Sequence, residues 1–232
     1  MKNFTYPMPI CYSIGLLLMG TVAWLVSAML QVVPALAGLH WGVLLIPAIL
    51  FSVGALIITL RAKERTGRLL LSYGLNAIGS GLAVGVLMGV KGILPAIPLA
   101  QGMLPALVLG IGFWFLLAVI DHWPGIQTLI FVLLSVALLI FGIVIWTNHV
   151  PLIGCAMVFS ALFLLPFPIA VNAAMDKPKE MFSYLSASGF GAFVLIVIAV
   201  LFVLTEGEIL DGLDGGFDAG GGEGIGRRKR NR

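Results

Sequence analysis

The sequence predicts an all-α integral membrane protein, built as a polytopic transmembrane bundle of about seven helices. Of its 232 residues, 60% are hydrophobic and only 10% are charged, whereas a soluble domain carries about a quarter charged residues. The apolar residues form long segments, and every charged side chain lies outside these segments. Both features are typical of helices that cross a lipid bilayer.

Each apolar segment has about 20–24 residues, enough at 1.5 Å per residue to span a hydrocarbon core of about 30 Å. Strands of a membrane barrel would be shorter and alternating, so helices are predicted. The first segment exceeds the roughly 7–15 apolar residues of a signal peptide, which favours a retained helix over a cleaved one. The predicted spans are 10–33, 41–60, 69–90, 101–120, 126–147, 151–174 and 183–205.

The spans also group into three helical hairpins, 10–60, 69–120 and 126–174, with one helix left over. Internal duplication would give this spacing, and so would regular packing of membrane helices. Residues 206–232 have a different composition, rich in Gly, Asp and Glu and ending in a basic cluster at 227–230. Such a segment has too few apolar residues to offset its ordering entropy, so a disordered tail is predicted.

The distribution of Lys and Arg predicts the orientation in the cell membrane. The loop 61–68 contains Arg61, Lys63, Arg65 and Arg68, and the loop 175–182 contains two lysines. Short cytoplasmic loops carry such an excess of basic residues. The N-terminus is therefore predicted to be cytoplasmic, and seven spans then place the C-terminus outside.

The third span has the most specific packing pattern. Ala77, Gly81, Gly85 and Gly89 recur every four residues and so lie on one helix face, where small residues allow another helix to approach closely. This face is predicted to contact either a helix of the same bundle or another subunit, and the sequence leaves both interpretations open.

Polar and proline residues inside the spans are further candidates. Asn76, Ser80 and Asn172 are candidate lining residues of a polar path, although interhelical hydrogen bonds are the commoner role of such side chains. Pro166 and Pro168 remove backbone donors inside the sixth span and predict a kink there.

Several kinds of chemistry find no support in the sequence. The outer loops near His40 and His149 offer no thiol or carboxylate, so no metal site is predicted. Asp121 and His122 are adjacent in a short loop, where a solvated turn is the commoner arrangement. Known zinc, nucleophile-elbow and phosphate-loop motifs are not found. No cofactor is expected, and the short basic cluster of the tail does not indicate nucleic-acid binding.

The spans contain no Asp, Glu, Lys, Arg or His at their centres, whereas proton relays and many ion-coupled transporters place ionisable groups there. The leading hypothesis is therefore a non-catalytic membrane component that packs through its helices with lipid, with a second copy or with a partner subunit. The alternative is a transporter or channel for a neutral or apolar solute.

Overall fold

The computed structural model describes residues 7–62, 65–93, 124–147 and 151–205. These residues form helices and contain no strand. A 3₁₀ turn at Pro178–Glu180 precedes the last helix. The α-helices are α1 Pro7–Val32, α2 Pro34–Ala37, α3 Trp41–Arg61, α4 Thr66–Val90, α5 Pro124–Thr147, α6 Pro151–Leu164, α7 Phe167–Asp176 and α8 Met181–Leu204.

The predicted all-α membrane bundle is confirmed. Helices form because each long apolar segment must satisfy its own backbone amides in lipid. A shorter apolar stretch, Val132–Thr147, lies in α5. The predicted span 101–120 and the tail 206–232 lie outside the described residues. Five stretches are long and apolar enough to cross a membrane: Ile10–Val32, Trp41–Arg61, Thr66–Val90, Leu152–Ala174 and Met181–Leu204.

Helix α4 is the central element of the described bundle. It packs against α1, α3 and α8, and 67% of its most apolar stretch is buried, compared with 22% for α3. Helices α1 and α3 both pack on α4 rather than forming a hairpin of their own, whereas α5 packs along α6. The two helices of the first predicted hairpin, α1 and α3, therefore follow each other in sequence, but α4 lies between them in the bundle.

The direction of each helix follows from its neighbours on α4. Gly15 lies beside Tyr73, and Leu30 lies beside Gly89, so α1 runs parallel to α4. Helix α8 is also parallel to α4, whereas α3 and α6 are antiparallel to it. One end of the bundle, here called the basic end, therefore carries five cationic residues within the described ranges: Arg61, Arg65, Arg68, Lys177 and Lys179.

All charged residues of the described segments lie at helix ends. Lys91 follows α4 at the end opposite the basic end. At the basic end, the Lys177 Nζ atom lies 3.6 Å from a Glu180 carboxylate oxygen. The Arg68 guanidinium donates to the backbone oxygen of Arg61. These contacts place charge where headgroups and water are available, as a membrane bundle requires.

Pro166 and Pro168 interrupt the sixth predicted span. Helix α6 ends at Leu164, and α7 begins at Phe167 after a short turn. Neither proline has a backbone N–H, so the helical ladder loses donors at this point. The nearby carbonyl of Phe163 accepts a buried hydrogen bond of 2.6 Å from the Tyr12 hydroxyl. A side chain of α1 therefore satisfies a backbone group beside the break.

Tyr12 also anchors a buried aromatic cluster that joins four helices. Its ring centroid lies 4.1 Å from that of Phe167, 5.3 Å from that of Phe163 and 5.9 Å from that of Tyr73. The tilted and edge-to-face arrangements are those that aromatic rings prefer. The cluster fixes α1 and α4 against the junction between α6 and α7.

Tyr73 is buried against glycines of two neighbouring helices. It lies near the start of α4 and is only 4% exposed. A Cβ atom at Gly15 or Gly189 would overlap the Tyr73 ring. The two glycines therefore make the space on α1 and α8 that buries this tyrosine.

Replacing Tyr12 by Phe should destabilise the bundle by about 1–3 kcal/mol, because the buried Phe163 carbonyl would lose its donor. The measurement is reversible unfolding in mixed micelles with a denaturing detergent. The matched control is Tyr184→Phe, which removes a hydroxyl that donates to Glu180 near the basic end. Water can replace that half-buried bond, so the control should lose less. Equal losses in the two variants would contradict the role given to Tyr12.

Candidate functional site

The small-residue face of α4 is occupied by α1 of the same chain. A Cβ atom at Gly81 would lie 2.6 Å from the backbone oxygen of Met19. A Cβ atom at Gly85 would lie 2.7 Å from the backbone oxygen of Ala23. Side chains essentially never approach backbone atoms this closely, so both positions need glycine for the observed contact.

The same contact extends along α4 in both directions. Ala77 is fully buried, and a Cβ atom at Gly89 would overlap the side chain of Leu30. The three glycines Gly81, Gly85 and Gly89 therefore all meet α1. Because α1 covers the face that carries them, another subunit has no access to this face in the folded chain.

A hydroxyl cluster joins α3, α4 and α8 near the basic end. The hydroxyl of Thr59 lies 2.6 Å from that of Ser72 and 2.8 Å from that of Ser186. Ser186 donates to Ser72 at 3.0 Å, and Ser72 donates to the backbone oxygen of Ala55 at 2.8 Å. Interhelical bonds of this kind contribute about 0.6 kcal/mol each in membrane bundles. The cluster therefore stabilises the packing of α3 and α8 on α4.

This hydroxyl cluster is not among the candidates predicted from the sequence. Single Ser and Thr residues are common in apolar spans and carry little signal on their own. One feature of the sequence does indicate a polar row on α4. Ser72, Asn76 and Ser80 are spaced four residues apart, which places their side chains along one side of the helix. The partners on α3 and α8 come from distant parts of the chain, and no local pattern identifies them.

One turn further along α4, Asn76 and Ser80 have a different environment. Ser52 donates to the Asn76 Oδ1 atom at 2.7 Å. The Asn76 Nδ2 atom and the Ser80 hydroxyl are buried and have no hydrogen-bond partner among the described residues. Asn172 is exposed on α7 and is not brought together with them.

Two clefts lie elsewhere in the bundle. A cleft of about 280 Å³ at the end opposite the basic end is bordered by His40, Trp41 and Gly89. A smaller one of about 70 Å³ lies between α1, α4 and α6 and is lined mainly by apolar side chains, with Ser160 at its edge. Neither cleft is lined by Asn76.

His40 has a structural role at the start of α3. Its Nδ1 atom accepts a hydrogen bond of 3.1 Å from the backbone amide of Gly42 and so caps the helix. Within the described ranges, no group of three or more His, Cys, Asp or Glu side chains is placed to hold a metal ion. Asp121, His122 and His149 lie outside those ranges.

Replacing Gly85 by Ala should lower the free energy of unfolding by about 1–3 kcal/mol, because the new methyl group forces the α1 and α4 backbones apart. The matched control is Gly74→Ala on the same helix, where a Cβ atom meets no atom within 4 Å. Because alanine favours helix over glycine, the control should be as stable as the natural protein or more stable. A Gly85→Ala variant of undiminished stability would contradict the close α1–α4 contact.

Comparisons with known proteins add no functional assignment to this geometry. No protein-family model matches the chain, and neither curated proteins nor solved structures give a match. The function is therefore inferred from the burial, contacts and charges of the described helices.

Proposed function

We propose that the chain is a non-catalytic component of the cell membrane that acts by packing with a second copy or with a partner membrane subunit. The observation that carries this proposal is the placement of charge. Every Lys, Arg, Asp and Glu in the described segments lies at a helix end. The side chains around α4 are apolar, aromatic, hydroxyl or amide groups.

The packing of α4 restricts where an assembly contact can form. Its small-residue face is covered by α1, and its other sides contact α3 and α8. Contact with another protein is therefore expected through the outer apolar surfaces, for example around Leu50 on α3 or Ile198 on α8, which are 64% and 59% exposed. Large apolar side chains on these surfaces suit either lipid or a membrane partner.

The assembly should be detectable as a complex heavier than the single chain. Purified in mild detergent or lipid nanodiscs, the 24.6 kDa chain should give a discrete complex of fixed composition in native mass spectrometry. Leu50→Trp and Ile198→Trp alter different outer surfaces without entering the core, so loss of the complex in only one variant would locate the contact. A single chain that retains no protein in fixed ratio would contradict the proposal.

The alternative prediction, a path for a neutral solute, receives less support. Its three predicted lining residues do not come together, because Asn172 is exposed whereas Asn76 and Ser80 are buried. Assembly is therefore the function that the described geometry supports best.

The proposed orientation places the basic end in the cytoplasm. Five cationic residues lie at this end, compared with Lys91 at the other end in the described segments, and short cytoplasmic loops carry such an excess. Helices α1 and α4 both begin at the basic end, and α8 finishes at the opposite end. The proposal therefore has a cytoplasmic N-terminus and an external C-terminus.

Cysteine labelling tests this orientation. In a background with Cys11 and Cys155 replaced, Leu39→Cys should react with a membrane-impermeant maleimide on intact cells. Gly67→Cys, at an exposed position near the basic end, should react only after the cells are permeabilised. The reverse pattern would contradict the proposed orientation.

A further inference from the structure

Four buried side-chain polar atoms of the described segments lack a hydrogen-bond partner, on Ser27, Tyr73, Asn76 and Ser80, and the last two lie on neighbouring turns of α4. Asn76 is 1% exposed and Ser80 is fully buried. Neither the Asn76 Nδ2 atom nor the Ser80 Oγ atom has a hydrogen-bond partner within the described part of the chain. A buried polar group left in this state is costly, and more so in lipid, where water cannot reach it from outside.

Exchanging the oxygen and nitrogen of the Asn76 amide does not remove the problem. Only one end of the amide faces the Ser52 hydroxyl, at 2.7 Å, so the other end stays unpartnered in either assignment. The Ser52 hydroxyl can also accept a further bond. Three polar groups on two helices, Ser52, Asn76 and Ser80, therefore have unused hydrogen-bonding capacity in one region.

Polar groups at this helical spacing can be bridged by one small molecule. Residues four apart on a helix have Cβ atoms about 5–6 Å from each other, a separation that two hydrogen bonds of about 2.8–3.0 Å can span. A buried water typically makes about three hydrogen bonds to otherwise unsatisfied groups. An ion is disfavoured, because the described spans place no opposite charge in this region and burial of an unpaired charge is costly.

We propose that Ser52, Asn76 and Ser80 bind an ordered water molecule between α3 and α4, inside the membrane-spanning part of the bundle. The water accepts from the Asn76 amide, bonds to the Ser80 hydroxyl and donates to Ser52. It thereby extends the hydrogen bonds between α3 and α4 from the hydroxyl cluster toward the middle of the bundle.

The unfolding equilibrium of a Ser80→Ala variant distinguishes a site that holds water from one that does not. Removing a hydroxyl that has no partner should be neutral or stabilising, whereas removing one that binds water leaves that water and its other partners short of a bond. Ser80→Ala should therefore raise the unfolding equilibrium constant about 5- to 30-fold. Ser72→Ala, which breaks observed hydrogen bonds, serves as the positive control.

Radiolytic labelling gives a second readout that detects the water itself. Hydroxyl radicals formed from bound water oxidise the nearest side chains, and mass spectrometry locates the product. The ring of Phe193 packs on Gly79, next to Ser80, and is shielded from solvent at 7% exposure. We expect oxidation at Phe193, lost in Asn76→Leu, whereas Phe163, fully buried in the aromatic cluster, is the protected reference.

Either of two results would overturn the proposal. One is an unfolding constant in Ser80→Ala that equals or falls below that of the natural protein. The other is protection of Phe193 equal to that of Phe163, or oxidation of Phe193 that persists in Asn76→Leu. If a variant fails to fold, the comparison of Phe193 with Phe163 in the natural protein still decides.

Discussion

Helices in a membrane gain little from hydrophobic burial against one another, because lipid tails are as apolar as their side chains. Association then depends on how closely the backbones approach and on the hydrogen bonds formed between helices. In this protein α1 and α4 approach closely where Gly81 and Gly85 bring α4 against backbone oxygens of α1, and α5 and α6 approach as closely at Gly154. Helices α3 and α8 pack on α4 of the α1–α4 pair, and α6 also contacts α1.

Hydrogen bonds between polar groups of the interior fix the relative positions of the packed helices. The hydroxyls of Thr59, Ser72 and Ser186 bond to one another, and each comes from a different helix. Such bonds fix which turn of α3 and of α8 lies beside which turn of α4. Tyr12 acts in a similar way at the break between α6 and α7, where it donates to a carbonyl beside the prolines.

These contacts explain why α4 is the most buried of the spans although it is not the most apolar. Lipid would offer little to its small and polar residues, whereas Gly81 and Gly85 have close contacts and Ser72 and Asn76 have polar neighbours inside the bundle. The outer helices show the opposite distribution, with large apolar side chains such as Leu60 on α3 left exposed. The proposed assembly role uses those outer surfaces and leaves the interior as a fixed support.

The helical membrane fold could be predicted because length, hydropathy and charge placement are local properties of the chain. The break at Pro166 and the shared face of Gly81 and Gly85 are also local, since one follows from a missing donor and the other from a spacing of four. The occupant of that face could not be predicted, because the matching surface of α1 is made of ordinary residues such as Met19. The burial of Tyr73 likewise depends on Gly15 and Gly189, which are distant in sequence.

Assembly remains a proposal, whereas the intramolecular α1–α4 contact is the claim on which the described fold depends. It is tested most directly by a disulfide between Leu30→Cys and Gly89→Cys with the natural cysteines replaced. The two Cβ positions lie 3.0 Å apart, so a small shift reaches the roughly 3.5–4.5 Å of a disulfide. We expect a cross-link within one chain, with no doubled mass on a non-reducing gel. A cross-linked dimer, or no cross-link, would contradict it.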